Sequence, residues 1–152
     1  MYTMADAKEK IEDMLLDDER KIIPFLKGFM SNWYLCPIIE TDIEMHPEAI
    51  GITFISSEQF FMWSKAILFE DHEVAKSILA TKSHRDMKSM ARRVKNFDSE
   101  VWNTAGYMIM LHVNKLKFEQ NSKLTKLLLN TGDAELVEGA SYDKIWGVGL
   151  DW

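Results

Sequence analysis

Cysteine occurs once among the 152 residues, as Cys36, so no internal disulfide holds this chain and its stability must come from a packed core. Proline and glycine are sparse as well, at 3 and 7 residues, which excludes collagen-like and low-complexity chains. No apolar run reaches the roughly 18 residues that span a bilayer. The N-terminus also lacks the basic-then-apolar form of a secretory leader. No membrane association is expected, and the cytoplasm is the expected location. Basic residues are outnumbered 18 to 24, leaving a net charge of −6. That balance argues against a general nucleic-acid coat protein but permits a local basic patch. The four histidines, His46, His72, His84 and His112, show no H-x-x-x-H spacing, and C-x-x-C is absent. Neither a metal nor a cofactor is therefore expected.

What is present is a chain 47% hydrophobic and 28% charged, the composition of one globular domain with a real core. Residues 4 to 19 place Ala7, Ile11, Met14 and Leu15 on one side of an amphipathic helix, an appendage over residues 1–20 to a domain over 21–152. Lys21 to Leu26 is β-prone but contains Pro24, so it can only be an edge strand. Residues 29 to 37 follow neither helical nor strand period and read as a loop. Its aromatics Phe29, Trp33 and Tyr34 are expected to bury and to hold Ser31 and Asn32 rigidly. Ile38 to Ile43 and Gly51 to Ile55 suggest two antiparallel strands.

Those strands feed residues 56 to 69, SSEQFFMWSKAILF, around which the chain is organised. Ser56 with Gln59 three residues on makes a capping-box start, and the helix that follows is apolar nearly all round. Such a helix belongs inside a domain, where Glu58 and Lys65 are costly unless paired or lining a cleft. They lie seven residues apart, about 10 Å of rise and roughly 20° of rotation, so both leave one face. An internal ion pair accounts for them as well as a catalytic acid and base do.

Asp71 can cap a helix through Ala80, and Ser83 another that carries Arg85, Lys88, Arg92 and Lys95 along one side. That stripe is a solvated face or a phosphate site. Asp98 caps the longest helix, Ser99 to Gln120, whose core face is read as Val101, Ala105, Met108, Ile109, His112 and Leu116. A short helix runs from Asn121 to Leu129 and ends at Gly132. The tail from Ala134 has loop composition, with Glu138, Asp143, Trp146, Gly147 and Gly149. Carboxylates, an indole and glycines suit a site for a flat ring with polar edges, while Trp102 and Trp146 read equally as core indoles.

Four stretches in order, FMSNWYLCPI (29 to 38), SSEQFFMWSKA (56 to 66), ARRVKNFDSEVW (91 to 102) and ELVEGASYDKIWGVGL (135 to 150), resemble the NADAR superfamily, which includes the YbiA-like N-glycosidases. The resemblance implies an α+β, helix-dominated fold and cleavage of a ribosyl C1–N bond. The substrates it implies are ADP-ribose attached to guanine, ADP-ribosylated nucleic acid included, or phosphoribosylamino-pyrimidine intermediates of riboflavin synthesis. It places the catalytic pair on Glu58 and Lys65. Substrate contacts fall on Ser31, Asn32, Trp33, Trp102, Glu138, Asp143 and Trp146; Arg92 or Arg93 is a candidate phosphate ligand from its charge. A binding module that holds ADP-ribose or NAD without turnover is the alternative. Two departures stand out: Ala91 replaces the usual glycine before the arginine, and the family's W-x-G-x-N-x-L-G segment does not follow, so this is a short member or a chain cut short.

Overall fold

The structure, a computed structural model, describes residues 21–140, 143 and 147. The amphipathic helix expected over residues 4 to 19, and Trp146, lie outside them. The chain divides into two compact units, one spanning Asn32–Thr125 and one formed by the chain on either side of it. Among the described residues there are five helices and four short strands, the helix-dominated α+β arrangement that the sequence predicts.

In the Asn32–Thr125 unit, β2 (Ile38–Ile39) and β3 (Thr53–Phe54) pair antiparallel, Ile38 opposite Phe54. Strand β3 leads into α1 (Ser57–Leu68), which packs against α2 (His72–Ala80), α3 (His84–Ala91) and α4 (Ser99–Glu119). Each of these helices starts on a side-chain cap. Ser56, Asp71, Ser83 and Asp98 accept from the backbone N–H groups of Gln59, Val74, Asp86 and Glu100, respectively. The Gln59 side chain does not return to Ser56 as a capping box would. Its Oε1 accepts from Ile55 N–H (2.9 Å), and its Nε2 donates to the Ile78 carbonyl (3.1 Å), tying the start of α1 to the end of α2.

Phe54, Phe60 and Trp63 form the aromatic heart, with ring centroids 4.7 to 6.5 Å apart. Ile38, Ala66, Ile78, Met87 and Val113 close around them, all buried. Burying each large side chain contributes about 1.5–3 kcal/mol, which is why α1 cannot move independently of its neighbours. Helix α4 also grips the β2 region. His112 Nε2 meets Glu40 Oε2 at 2.7 Å, and Glu40 Oε1 accepts from the N–H groups of Thr41 and Asp42.

Three expectations are corrected here. Helix α3 stops at Ala91, so Arg92 and Lys95 lie beyond it and the four cations form no continuous helical stripe. Val101 and Met108 are about half exposed, at 46% and 52%; the inward face of α4 is Ile109, Met110, Val113, Leu116 and Lys117. Trp33 and Tyr34 are also exposed rather than buried.

In the other unit, β1 (Ile22–Phe25) pairs with β4 (Glu135–Glu138) in parallel, Ile22 opposite Glu135. Pro24 is tolerated because a two-stranded sheet has only edges. Strand β4 stands where loop was expected. Helix α5 (Ser122–Leu129), within which the unit boundary falls, closes through Gly132 at φ +59°. Gly147 has no room for a side chain: a Cβ there would run into the Ala140 and Asp143 carbonyls.

Candidate active site

Glu58 is the second residue of α1 and 5% exposed, in the turn where unpaired N–H groups favour a carboxylate. Its own N–H donates to the Asn32 carbonyl (3.0 Å). The Asn32 side chain accepts from Asn114 Nδ2 (3.2 Å), which also donates to the Met110 carbonyl. The Asn32 loop, the start of α1 and the middle of α4 are thus one hydrogen-bonded unit. The polar loop residue works as a splice, which its place between Ser31 and Trp33 did not announce.

Two turns on, Lys65 is surrounded differently. Its Nζ lies 4.3 Å from the centre of the Phe97 ring and 5.3 Å from that of Trp102. Among the described residues no carboxylate lies within 4 Å of it. Burial, and secondarily the Arg92 guanidinium, push its ammonium below the usual lysine range, while the ring faces hold the cation by their quadrupoles.

Both rings are placed by features away from the lysine. Trp102 folds back along α4 and over Gly106, where an added Cβ would meet the indole at 3.1 Å, and it packs on Phe61 with centroids 5.0 Å apart. Phe97 follows Asn96, which has a left-handed φ of 54°. The preceding Lys95 N–H donates to Asp71 Oδ2 (3.0 Å). Asp71, buried, caps α2 with its other oxygen, so one carboxylate sets both the α2 start and the approach to Phe97.

Helices α1 and α3 run side by side in the same direction. His84 at the start of α3 meets Ser56 at the start of α1, with Nε2 and Oγ 2.8 Å apart, and Arg92 after the end of α3 acts on Lys65.

Of the residues singled out in the sequence, Asn32, Trp33, Glu58, Lys65, Arg92 and Trp102 belong to the Asn32–Thr125 unit. The fold brings Trp102 to Lys65, and the Asn32 loop to Glu58. Ser31, Glu138 and Asp143 belong to the other unit. There the Ser31 N–H closes a turn on the Gly28 carbonyl (3.0 Å), Glu138 ends β4 opposite Phe25, and the Asp143 carbonyl accepts from Gly147 N–H (3.1 Å). Phe97, Asn114, Asp71 and His84 complete the surroundings and were not foreseen. Asn114, a polar residue on an apolar helix, carried the one local signal.

A family model, the NADAR domain, matches residues 24–152. The chain belongs to the NADAR family. An N-glycosidase of Acanthamoeba polyphaga mimivirus is 41% identical over 97 residues, 64% of this chain and 57% of that protein. Protein irg-1 of Caenorhabditis elegans is 34% identical over 66% of this chain and 48% of its own length. A riboflavin biosynthesis protein of Vibrio vulnificus is 28% identical over 82% of this chain and 30% of its own. The chain therefore spans from about a third to somewhat over half the length of these relatives. The NMR structure of Escherichia coli YbiA superposes with a TM-score of 0.67 at 29% identity, covering 84% of this chain and 71% of that one. The NADAR fold thus accounts for most of the described chain. Among its described residues no helix is long and apolar enough to cross a membrane, and no group of three His, Cys, Asp or Glu could hold a metal ion.

Proposed function

We propose that this NADAR chain is an N-glycosidase that hydrolyses a ribosyl C1–N bond. The observation that carries the reading is Lys65: a half-buried amine with no counter-charge among the described residues, lowered toward its neutral form and held between aromatic rings. A lowered pKa and the lack of an ion-pair partner among the described residues suit an amine that acts as a nucleophile.

Glu58 serves as the acid. It protonates the ribose ring oxygen, the ring opens to an iminium at C1, and the Lys65 amine adds there. The nitrogenous group departs with a proton as the lysine Schiff base forms. Water then adds at C1 and releases the lysine, so one water is consumed and the products are the free amine and a reducing ribose. The mimivirus relative's name, N-glycosidase, supports the bond class, and the Vibrio relative's name is compatible with the riboflavin-intermediate substrate.

The substrate we favour is an ADP-ribosyl group on a nucleobase, alone or in nucleic acid. Trp33 stands beside the Glu58 end of α1 and Trp102 beside the Lys65 end, one stacking surface for each of two bases. Arg92, exposed and near Lys65, suits a phosphate. A phosphoribosylamino-pyrimidine has one ring and one phosphate, and would use half of this.

The test is turnover of ADP-ribosylated guanosine and of the phosphoribosylamino-pyrimidine, followed by mass spectrometry, with borohydride present to trap the Schiff base. A ribosyl adduct on Lys65 is expected, and Glu58→Gln is expected to cut turnover by about 10²–10⁴ while melting within a few degrees of the parent. Tight binding of ADP-ribose with no release of base from either substrate would make this a binding module instead.

A further inference from the structure

Helix α4 is apolar on two opposite sides. Its inward side, with Ile109, Met110, Val113 and Leu116, is buried in the core of the Asn32–Thr125 unit. On the outward side Val101, Thr104, Met108, Leu111 and Lys115 follow one another at alternating spacings of three and four residues, which on a helix is one straight stripe. All five are exposed, Val101 at 46%, Met108 at 52% and Leu111 at 57%. One exposed apolar residue needs no explanation, but a stripe with the period of a coiled-coil seam is suited to meeting another helix. The charges at its ends say which helix. Glu100 stands in the first turn of α4, and Lys115, its side chain 68% exposed and 3.8 Å from Glu119, stands near the other end. A surface pair of that length contributes little, so the ammonium is open to a second carboxylate. Laid antiparallel, a second α4 sets the Glu100 of each helix against the Lys115 of the other and opposes the two helix dipoles. Laid parallel, it would bring like charges together.

We propose that the outward face of α4 is the interface of a homodimer, in which the α4 helices of two copies pair antiparallel about a two-fold axis at the level of Gly106. Val101 then packs against Leu111 of the other copy, and Thr104 against Met108, a small side chain facing a long and adaptable one. The Lys115 side chain leans toward the start of its own helix, as helical side chains do, and so reaches Glu100 of the other copy. A two-fold contact is self-complementary and closes at two copies. Helix α4 has 21 residues, about 31 Å at 1.5 Å each. One helix pair of that length covers less than the roughly 1,600 Å² of a standard interface, so the dimer dissociates in the micromolar range. Phe97, just ahead of the stripe and 47% exposed, is the ring that lies over Lys65, so the interface runs up to the Lys65 end of the site. The proposal does not rest on the N-glycosidase reading.

Sedimentation velocity of the whole chain, from about 1 to about 300 µM, is expected to show a monomer–dimer equilibrium with no larger species. Met108→Glu puts a carboxylate on each side of the axis and should raise the dissociation constant at least about thirtyfold. Because Met108 is half exposed in the single chain, that variant should melt within a few degrees of the parent, which separates a lost interface from a lost fold. The charges test the direction of pairing at low salt. Glu100→Lys and Lys115→Glu should each weaken the dimer about fivefold, and the two together should return it to within about threefold of the parent. A chain that stays monomeric at about 300 µM, a Met108→Glu protein that dimerises like the parent, or a double charge variant no tighter than the single ones would each overturn the proposal. None of these readouts uses turnover, so a failure of the dimer is distinct from a failure of the N-glycosidase reading, which Glu58→Gln tests.

Discussion

The two ends of α1 hold their charged residues by opposite means. At the Glu58 end the neighbours are polar and directional: the Asn32 carbonyl, the Asn114 amide, the Ser56 cap and the His84 imidazole. At the Lys65 end they are rings, with Phe97 and Trp102 over the amine and Phe61 and Phe69 behind them. These hydrogen bonds fix the backbone from which Glu58 projects, through its own N–H and the Asn32 loop. Rings instead exclude water and set the charge state of an amine while leaving its long side chain room to swing. One end positions, and the other tunes.

The contrast breaks most severely at the tuned end. Lys65→Arg keeps a cation between the rings but cannot form a Schiff base, so turnover should fall at least about a hundredfold. A variant that retains activity would reduce Lys65 to an electrostatic role. At the polar end the expected loss is smaller. Asn114→Ala removes the bond to Asn32 and should lower kcat/KM several-fold, with a stability cost of about 1 kcal/mol measured by urea unfolding.

The third change is in pH dependence. In the proposed mechanism Lys65 attacks as the neutral amine, so activity should rise with pH through its lowered pKa. Arg92→Gln removes one of the two influences that lower it, and the rising limb of kcat/KM should move to higher pH. An unmoved limb would leave the tuning to burial alone. The smallest effect concerns Asp71. Hydrogen bonds from the Lys95 and Val74 N–H groups hold its carboxyl below the usual range. Its folded pKa is therefore depressed, so its stabilisation is complete above the unfolded value and is lost as pH falls through the folded one. Asp71→Asn should melt a few degrees lower at neutral pH and show a shallower decline on acidification, followed by thermal melts from pH 6 to 3.

Much of this was legible because the signals are local. Ser56, Asp71, Ser83 and Asp98 each reach an N–H two or three residues ahead, so the starts of α1 to α4 could be read off the chain. The end of α3 could not. Arg92-Arg93-Val94-Lys95 carries no breaker, and it leaves the helix as Asp71, 24 residues earlier, takes the Lys95 N–H. Strand β4 escaped for the same reason, since its partner lies more than a hundred residues upstream. Helix α4 has apolar residues on more than one side, which left its rotation ambiguous and put Val101 and Met108 on the wrong face. At the site, Glu58 and Lys65 stood out because charge is anomalous on an apolar helix. Phe97 and His84 have ordinary surroundings in sequence, and only the fold gives them neighbours that matter.

The amide of Gln120 has a consequence for life in a crowded solution. It accepts from the Ile39 N–H (3.0 Å) and donates to the Ile39 carbonyl (2.6 Å), making the two bonds that a neighbouring strand would make. Ile39 is 44% exposed, and an apolar strand edge with open backbone groups is a template for pairing with other chains. A single glutamine at the end of α4 occupies that template, so another copy of the protein cannot add a strand at Ile39.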